Sequence, residues 1–243
     1  MIGLFVASPS QAHLLWLNID PDQPEVGQIV RIEIGWGHRF PKDEVIKEGL
    51  LNQVYALDSK GTKIPLKQIS PTEFEFVPGV EGSYTISANI HPGFLTKTTE
   101  GYTLGTKKRL KNAVSCFRFD IRAKAIIDVG DGELIPEHAV GDPLEIILQK
   151  SPRYLKEGEA FPIRVLYRGE ALSSCDVRAT YAGFSDKPNT FALSTKTDGE
   201  GRARIKLLKK GKWLVTVTHQ LPYPDPEECD KYRYGASLTF GVR

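Results

Sequence analysis

Long apolar runs, helical periodicity, charge of one sign and paired-cysteine motifs are all scarce in this 243-residue chain, and each scarcity removes a class of function. No apolar run approaches the ~20 residues that cross a bilayer as a helix, so no transmembrane segment is expected. The formal net charge is only +2, from 32 Lys and Arg against 30 Asp and Glu, which gives no reason to expect nucleic acid or an anionic membrane as partner. The one basic run, Lys107, Lys108, Arg109 and Lys111, has no interleaved aromatics and reads as a solvated loop. The three cysteines, Cys116, Cys175 and Cys229, form no C-x-x-C pair, so neither a zinc ribbon nor a thioredoxin-type site is indicated. In an oxidising compartment Cys175 and Cys229, both in the second half, are candidates to pair; an odd count leaves at least one cysteine outside any intrachain bridge. Enzyme constellations are also missing: there is no G-x-S-x-G elbow, no phosphate-binding glycine loop and no H-E-x-x-H. The expectation is a protein without catalysis.

What is present is alternation by two. In Val30-Arg31-Ile32-Glu33-Ile34-Gly35-Trp36 the even positions are apolar and the odd ones polar or Gly, the mark of a half-buried strand. Similar segments run over 53–57, 73–77, 83–90 and 114–121, then over 144–148, 161–167, 176–181, 191–195, 203–207, 213–218 and 236–242. Many short strands separated by turns predict an all-β chain of two immunoglobulin-like β-sandwich domains in tandem. The pattern breaks at Asp128-Val129-Gly130-Asp131-Gly132-Glu133. This places an N-terminal sandwich over 13–123, a junction over 124–142 and a C-terminal sandwich over 143–243. The stretch His91–Asn112 reads as a long loop on the first sandwich, and long loops in compact domains are often functional.

Ser10-Gln11-Ala12 has the small-x-Ala form that a signal peptidase reads. The apolar run before it, Ile2 to Ala7, is shorter than a usual leader core, so residues 1–12 are read as the remnant of a signal peptide and the protein as periplasmic. Cleavage after Ala12 would make His13 the first residue, with a free amine and an imidazole able to chelate one ion. A second imidazole would complete a three-nitrogen set suited to Cu²⁺ or Ni²⁺. His38, in a glycine-flanked loop at a strand end, is the preferred partner. His219 shares parity with Trp213, Val215 and Val217 at the end of a strand, and the following Asp225, Glu227, Glu228 and Asp230 offer carboxylates. His13, His38 and His219 are therefore the candidate metal ligands, with His91 and His138 read as solvated turn residues. Asp128, Asp131 and Glu133 lack the spacing of a calcium loop and read as a solvated linker. Trp36 and Trp213 alternate with core residues and belong inside; the place of Trp16 stays open.

Several stretches together resemble a known family: Ala12-His13-Leu14-Leu15-Trp16-Leu17, Gly37-His38-Arg39-Phe40-Pro41, Gly82-Ser83-Tyr84, Asp142-Pro143-Leu144-Glu145-Ile146, Arg168-Gly169-Glu170-Ala171-Leu172, Thr197-Asp198-Gly199-Glu200-Gly201-Arg202-Ala203 and Gly211-Lys212-Trp213-Leu214-Val215. They resemble the NikM-like periplasmic proteins, a domain of unknown function often labelled the periplasmic component of a cobalt or nickel transport system. The resemblance implies a nickel or cobalt ligand and inner-membrane transporter subunits as partners. The Thr197–Ala203 turn also resembles carboxypeptidase-regulatory-like repeats, with Asp198 bonding backbone amides and Gly199 and Gly201 supplying positive φ. A binding or adhesion module that recognises a protein or glycan through its loops is the alternative function.

Overall fold

The computed structural model describes residues 13–132 and 139–243. Alternation becomes strand nearly everywhere it was read: eighteen strands and two short 3-10 turns occupy the described residues. They form three sheets. The first joins β1 (Leu14–Asp20), β2 (Val30–Gly37), β6 (Glu73–Phe76) and β5 (Lys67–Ser70) in that order. The second is a ten-stranded central sheet. Its main path is β15 (Leu193–Lys196), β14 (Asp176–Tyr181), β17 (Gly211–Pro222), β18 (Lys231–Val242), β10 (Ala113–Val129), β7 (Gly82–Ile90), β3 (Leu51–Leu57) and β4 (Lys63–Ile64). A hairpin of β8 (Gly93–Thr98) and β9 (Gly101–Leu104) adds to β10. The third sheet holds β11 (Leu144–Leu148), β12 (Ala160–Tyr167), β13 (Glu170–Ala171) and β16 (Arg202–Lys206).

The chain is thus a double β-sandwich whose two halves share one sheet. Strands β10 and β18 pair in parallel, Phe117 opposite Lys231 through Ala125 opposite Thr239. Because successive residues point to opposite faces, β10 supplies side chains to both cores and β18 to the second. Odd residues of β10, Phe119, Ile121, Ala123 and Ala125, pack with Leu15, Leu17, Ile32, Ile34 and Phe74 under the first sheet. Even residues of β18, Tyr234, Ala236, Leu238 and Phe240, pack with Ile146, Phe161, Ile163 and Trp213 under the third. The first and third sheets therefore cover opposite faces of the central one. Burying a side chain such as Phe161, 1% exposed, is worth about 1.5–3 kcal/mol.

Strand β10 runs to Val129, inside the interval read from sequence as junction. Asp128 is not a solvated linker residue but a buried carboxylate. Its Oδ1 accepts from Ser83 Oγ at 2.6 Å, and its Oδ2 accepts from Ser151 Oγ at 2.5 Å and from the Arg153 amide at 3.0 Å. Asp131 pairs with Arg153, while Glu133 and His138 lie outside the described residues. Residues 91–112 are not one loop: they contain the β8–β9 hairpin and a 3-10 turn, Lys107–Arg109. The basic run is also engaged, Lys107 with Asp230 at 2.5 Å and Lys108 with Asp225 at 2.6 Å.

The expected Cys175–Cys229 pairing is wrong. Cys116 bonds Cys229 across a sequence separation of 113, and Cys175 is a buried free thiol. The cause is the β10–β18 register, which sets Phe117 beside Lys231 and so brings Cys116 next to the segment that enters β18. Cys175 instead joins the second core, where burial pushes its thiol up to about 11. In the Thr197–Ala203 turn Asp198 does bond the Glu200 and Arg202 amides, at 2.9 and 2.8 Å. Of the two glycines only Gly201 takes positive φ. Among the described residues no helix is long and apolar enough to cross a membrane.

Candidate metal centre at the seam

Strand register brings two of the three candidate histidines together. Leu14 pairs with Gly37 at the last rung of the antiparallel β1–β2 ladder, so His13 and His38 meet one step beyond it. Their ring centroids are 4.4 Å apart, inclined at 42°. The His13 ring also stacks flat on Trp36, 5.0 Å away with an interplanar angle of 3°. A third donor comes from Glu44, whose amide donates to the Trp36 carbonyl at 3.0 Å in an isolated bridge. Its Oε2 lies 3.2 Å from His13 Nε2. One ligand atom from each of His13, His38 and Glu44 falls within 4.8 Å of the others.

The loop that carries His38 is built tightly. At Gly35 a Cβ would run into the Trp16 indole, and at Gly37, with φ +131°, into the Asp43 carboxylate. Glycine at both places lets the indole cross β2 and lets the chain fold back. Trp16 Nε1 and Asn18 Nδ2 then both donate to the Pro41 carbonyl at 2.9 Å. Asp43 accepts from the His38 amide at 2.6 Å and the Arg39 amide at 3.1 Å, with the Arg39 guanidinium on its other oxygen. Burial alone would raise its carboxyl, but these donors, His38 foremost, hold it below the usual carboxylate range. Trp16, the tryptophan left open by the sequence, is fully buried in a small cluster with Phe40 and with Leu214 of the second half.

The second half also orients the ligand. Asn189, between β14 and β15, donates its amide to the His38 carbonyl at 2.8 Å, and its Oδ1 sits 3.0 Å from His38 Nδ1. Its φ of +54° is one that Asn tolerates. With Nδ1–H donating to Asn189, the His38 Nε2 lone pair is free. With Nε2–H of His13 donating to Glu44, the free lone pair of His13 is on Nδ1. Such partners fix tautomer and ring orientation in metal sites.

His219 is not part of this group. Its neighbour Thr218 lines the same small cleft as His13, so alternation along β17 turns His219 to the opposite face of the sheet. There it packs on Tyr167 at 4.7 Å, and burial depresses its pKa. The acidic loop expected to assist it is held elsewhere, Asp225 and Asp230 by Lys108 and Lys107. His91 is exposed. Glu44 and Asn189 carried no sequence signal: one is placed by a single bridge, the other by a contact between halves.

Fold and cluster together define an all-β double sandwich with a His-His-Glu group where the halves meet. The chain belongs to the family described as a domain of unknown function, DUF4198, whose profile matches residues 10–221. A search of curated proteins finds no match. Among solved structures the chain is similar to fibronectin(III)-like modules of Clostridium thermocellum CbhA, at 12% identity over 93% of this chain and 94% of that one, TM-score 0.24. It is similar also to the D0-D1 domain of intimin, at 13% identity over 94% and 97% of the two chains, TM-score 0.25. A third similarity is to Salmonella alpha-2-macroglobulin, at 11% identity over 95% of this chain and 15% of that one, TM-score 0.27. Scores this low say nothing of function.

Proposed function

We propose that this is a periplasmic protein that captures a divalent transition-metal ion at His13 and His38, with Glu44 orienting His13, and supplies it to an inner-membrane uptake transporter. The observation that supports it is the convergence of two imidazoles and a carboxylate from three segments, with each imidazole oriented by a hydrogen bond through its other nitrogen. In this reading His13 Nδ1 and His38 Nε2 are ligands, and Glu44 orients His13. Cleavage after Ala12 adds the His13 amine, which forms a six-membered chelate ring with Nδ1. Three nitrogen donors suit Ni²⁺ and Cu²⁺; the family resemblance favours nickel or cobalt. No catalytic step is involved, since the ion is bound and released.

The test uses protein secreted behind a complete signal peptide. Mass spectrometry identifies the first residue, and calorimetry follows Ni²⁺, Co²⁺ and Cu²⁺. The expected result is a His13 terminus and one ion per chain. Binding should be undetectable in His13→Ala and His38→Ala, and weaker by about 10–100-fold in Glu44→Gln. A mature His13 terminus with no ion bound overturns metal capture and leaves a non-catalytic β-sandwich module that recognises a protein or glycan.

A further inference from the structure

Sheet edges expose unpaired amides and carbonyls, and proteins blunt them with charge, bulges or brevity. Several edges here are blunted in this way. β16 turns Arg202, Arg204 and Lys206 to solvent, β15 ends in exposed Lys196, β5 begins with Lys67 and bulges, and β4 is two residues long. β9 is the exception. Gly101-Tyr102-Thr103-Leu104 has no charge, no proline and no bulge, pairs only with β8, and is exposed at every residue. Tyr102 is 47% and Leu104 67% exposed, two large apolar side chains on one face of an open edge.

The hairpin fixes which backbone groups stay open. Hydrogen-bonded and non-bonded pairs alternate along an antiparallel ladder. The Gly105 amide donates to the Phe94 carbonyl at 3.0 Å, so the bonded pairs next along the hairpin are Thr103 with Thr96 and Gly101 with Thr98. Tyr102 and Leu104 therefore aim their amides and carbonyls away from β8, toward the bare side. A two-fold axis at Thr103 matches this pattern to itself and leaves the turn at Thr99 and Glu100 outside the ladder. Each copy's Tyr102 then falls opposite the partner's Leu104 as a bonded pair, and the two Thr103 residues face each other as a non-bonded pair. Along the apolar face the row runs Leu95, Leu104, the partner's Tyr102 and the partner's Lys97. Charge selects the same occupant. The hairpin turn carries exposed Glu100, while the other end of β9 leads into Lys107, Lys108 and Arg109. Lys107 and Lys108 have carboxylate partners, and the exposed Arg109 meets none among the described residues. Antiparallel pairing sets the acidic turn of each copy against the basic end of the other.

We infer that the β9 edge is the surface through which two copies of this chain associate, joining their central sheets across a two-fold axis at Thr103. The association is a weak one, because one short strand a side covers less than the ~1,600 Å² of a standard interface. It is independent of the metal reading, since β9 contributes no residue to the His13, His38 and Glu44 group.

Sedimentation velocity of the full chain from about 10 μM to 1 mM tests it, with a chelator present so that ions bridging histidines cannot imitate the contact. Wild type should shift from monomer toward dimer as concentration rises. Leu104→Pro removes an outward-facing amide and costs the β8 ladder no bond, so it should keep the melting temperature and stay monomeric. Cysteine scanning fixes the register. A non-bonded pair brings its Cα atoms to about 4.5 Å, within disulfide reach, so Thr103→Cys should oxidise to a covalent dimer. Tyr102→Cys and Leu104→Cys should each fail to cross-link alone and should cross-link when mixed. Wild type, whose one free thiol is the buried Cys175, is the control. Should Leu104→Pro not fold, the cysteine series carries the test. A wild type that stays monomeric to about 1 mM, a folded Leu104→Pro that associates like wild type, or cross-linking that does not single out position 103 overturns the inference.

Discussion

His13 and His219 stand on either side of one sheet, separated by little more than the alternation of neighbouring residues on β17. Each is half-buried and packed on an aromatic ring, Trp36 for one and Tyr167 for the other. On the His13 side a second imidazole and a carboxylate converge, supplied by a loop whose amides are tied to Asp43. On the His219 side the neighbours are aromatic, and burial favours the neutral ring. The same residue type is a candidate ligand in one place and a packing residue in the other. The difference lies in which segments meet there: a ligand set requires donors from strands and loops distant in sequence, whereas packing requires only the right parity.

The contrast sets the proposed ion site beside one face of the central sheet and the His219 packing on the other, and it can be broken at three strengths. The heaviest blow falls on the packing face, at the buried ion pair of Lys124 and Glu145, 2.7 Å apart and each 4% exposed at the side chain. Burial pulls the Lys124 pKa down while Glu145 pulls it up. Lys124→Met leaves the buried carboxylate with the Val140 and Gly141 amides but no counter-ion and should cost about 3–5 kcal/mol in denaturant unfolding. Nickel affinity of the folded variant should not change; a parallel loss of affinity would mean the faces are not separable.

Asp43→Asn, in the loop that carries His38, should cost about 1–3 kcal/mol, because the His38 and Arg39 amides lose a charged acceptor. The same variant should weaken nickel binding by loosening His38. The sign of its pH dependence is set by a folded pKa below the unfolded value of ~3.9. The stabilisation is present above that value and is lost as pH falls through the folded one. Melting temperatures of wild type and variant should therefore differ at pH 7 and converge under strong acid.

The smallest effect belongs to His219→Phe. A depressed histidine pKa gives stability that is present above the unfolded value of ~6.5 and lost as pH falls toward the folded one. Wild type should lose more melting temperature between about pH 7.5 and pH 5 than His219→Phe does. The variant should keep full metal affinity; a drop would place His219 in the ligand set after all.

Alternation made the strands legible, since Ile32, Ile34 and Trp36 announce a half-buried strand without reference to any partner. It also placed His219 on the side of Trp213 and Val215, where the structure has it. Pairing over distance was not legible. Nothing local in Cys116 or Cys229 points to the other, because their contact follows from the parallel register of β10 and β18. The β8–β9 hairpin was missed because Thr96-Lys97-Thr98-Thr99-Glu100-Gly101-Tyr102-Thr103 has no apolar face to give it away; all four residues of β9 are exposed. At the candidate centre, His13 and His38 stood out by type and by their places at strand ends. Glu44 looked like any surface acid, and only the backbone bridge to Trp36 turns it toward the imidazoles.

The parallel pairing of β10 with β18 also bears on how the molecule comes into being. A chain made from the N-terminus can lay down β1 to β10 and bury much of its first core early. The second core, however, takes Ile126 from β10 and Tyr234, Ala236, Leu238 and Phe240 from β18, more than a hundred residues later. Contacts of such separation close slowly. Until β18 arrives, one long flank of β10 offers unpaired amides and carbonyls to any passing strand. The halves therefore cannot mature as two independent beads. Completion waits for the last of the described strands, so nearly the whole chain must be available before its central sheet can close.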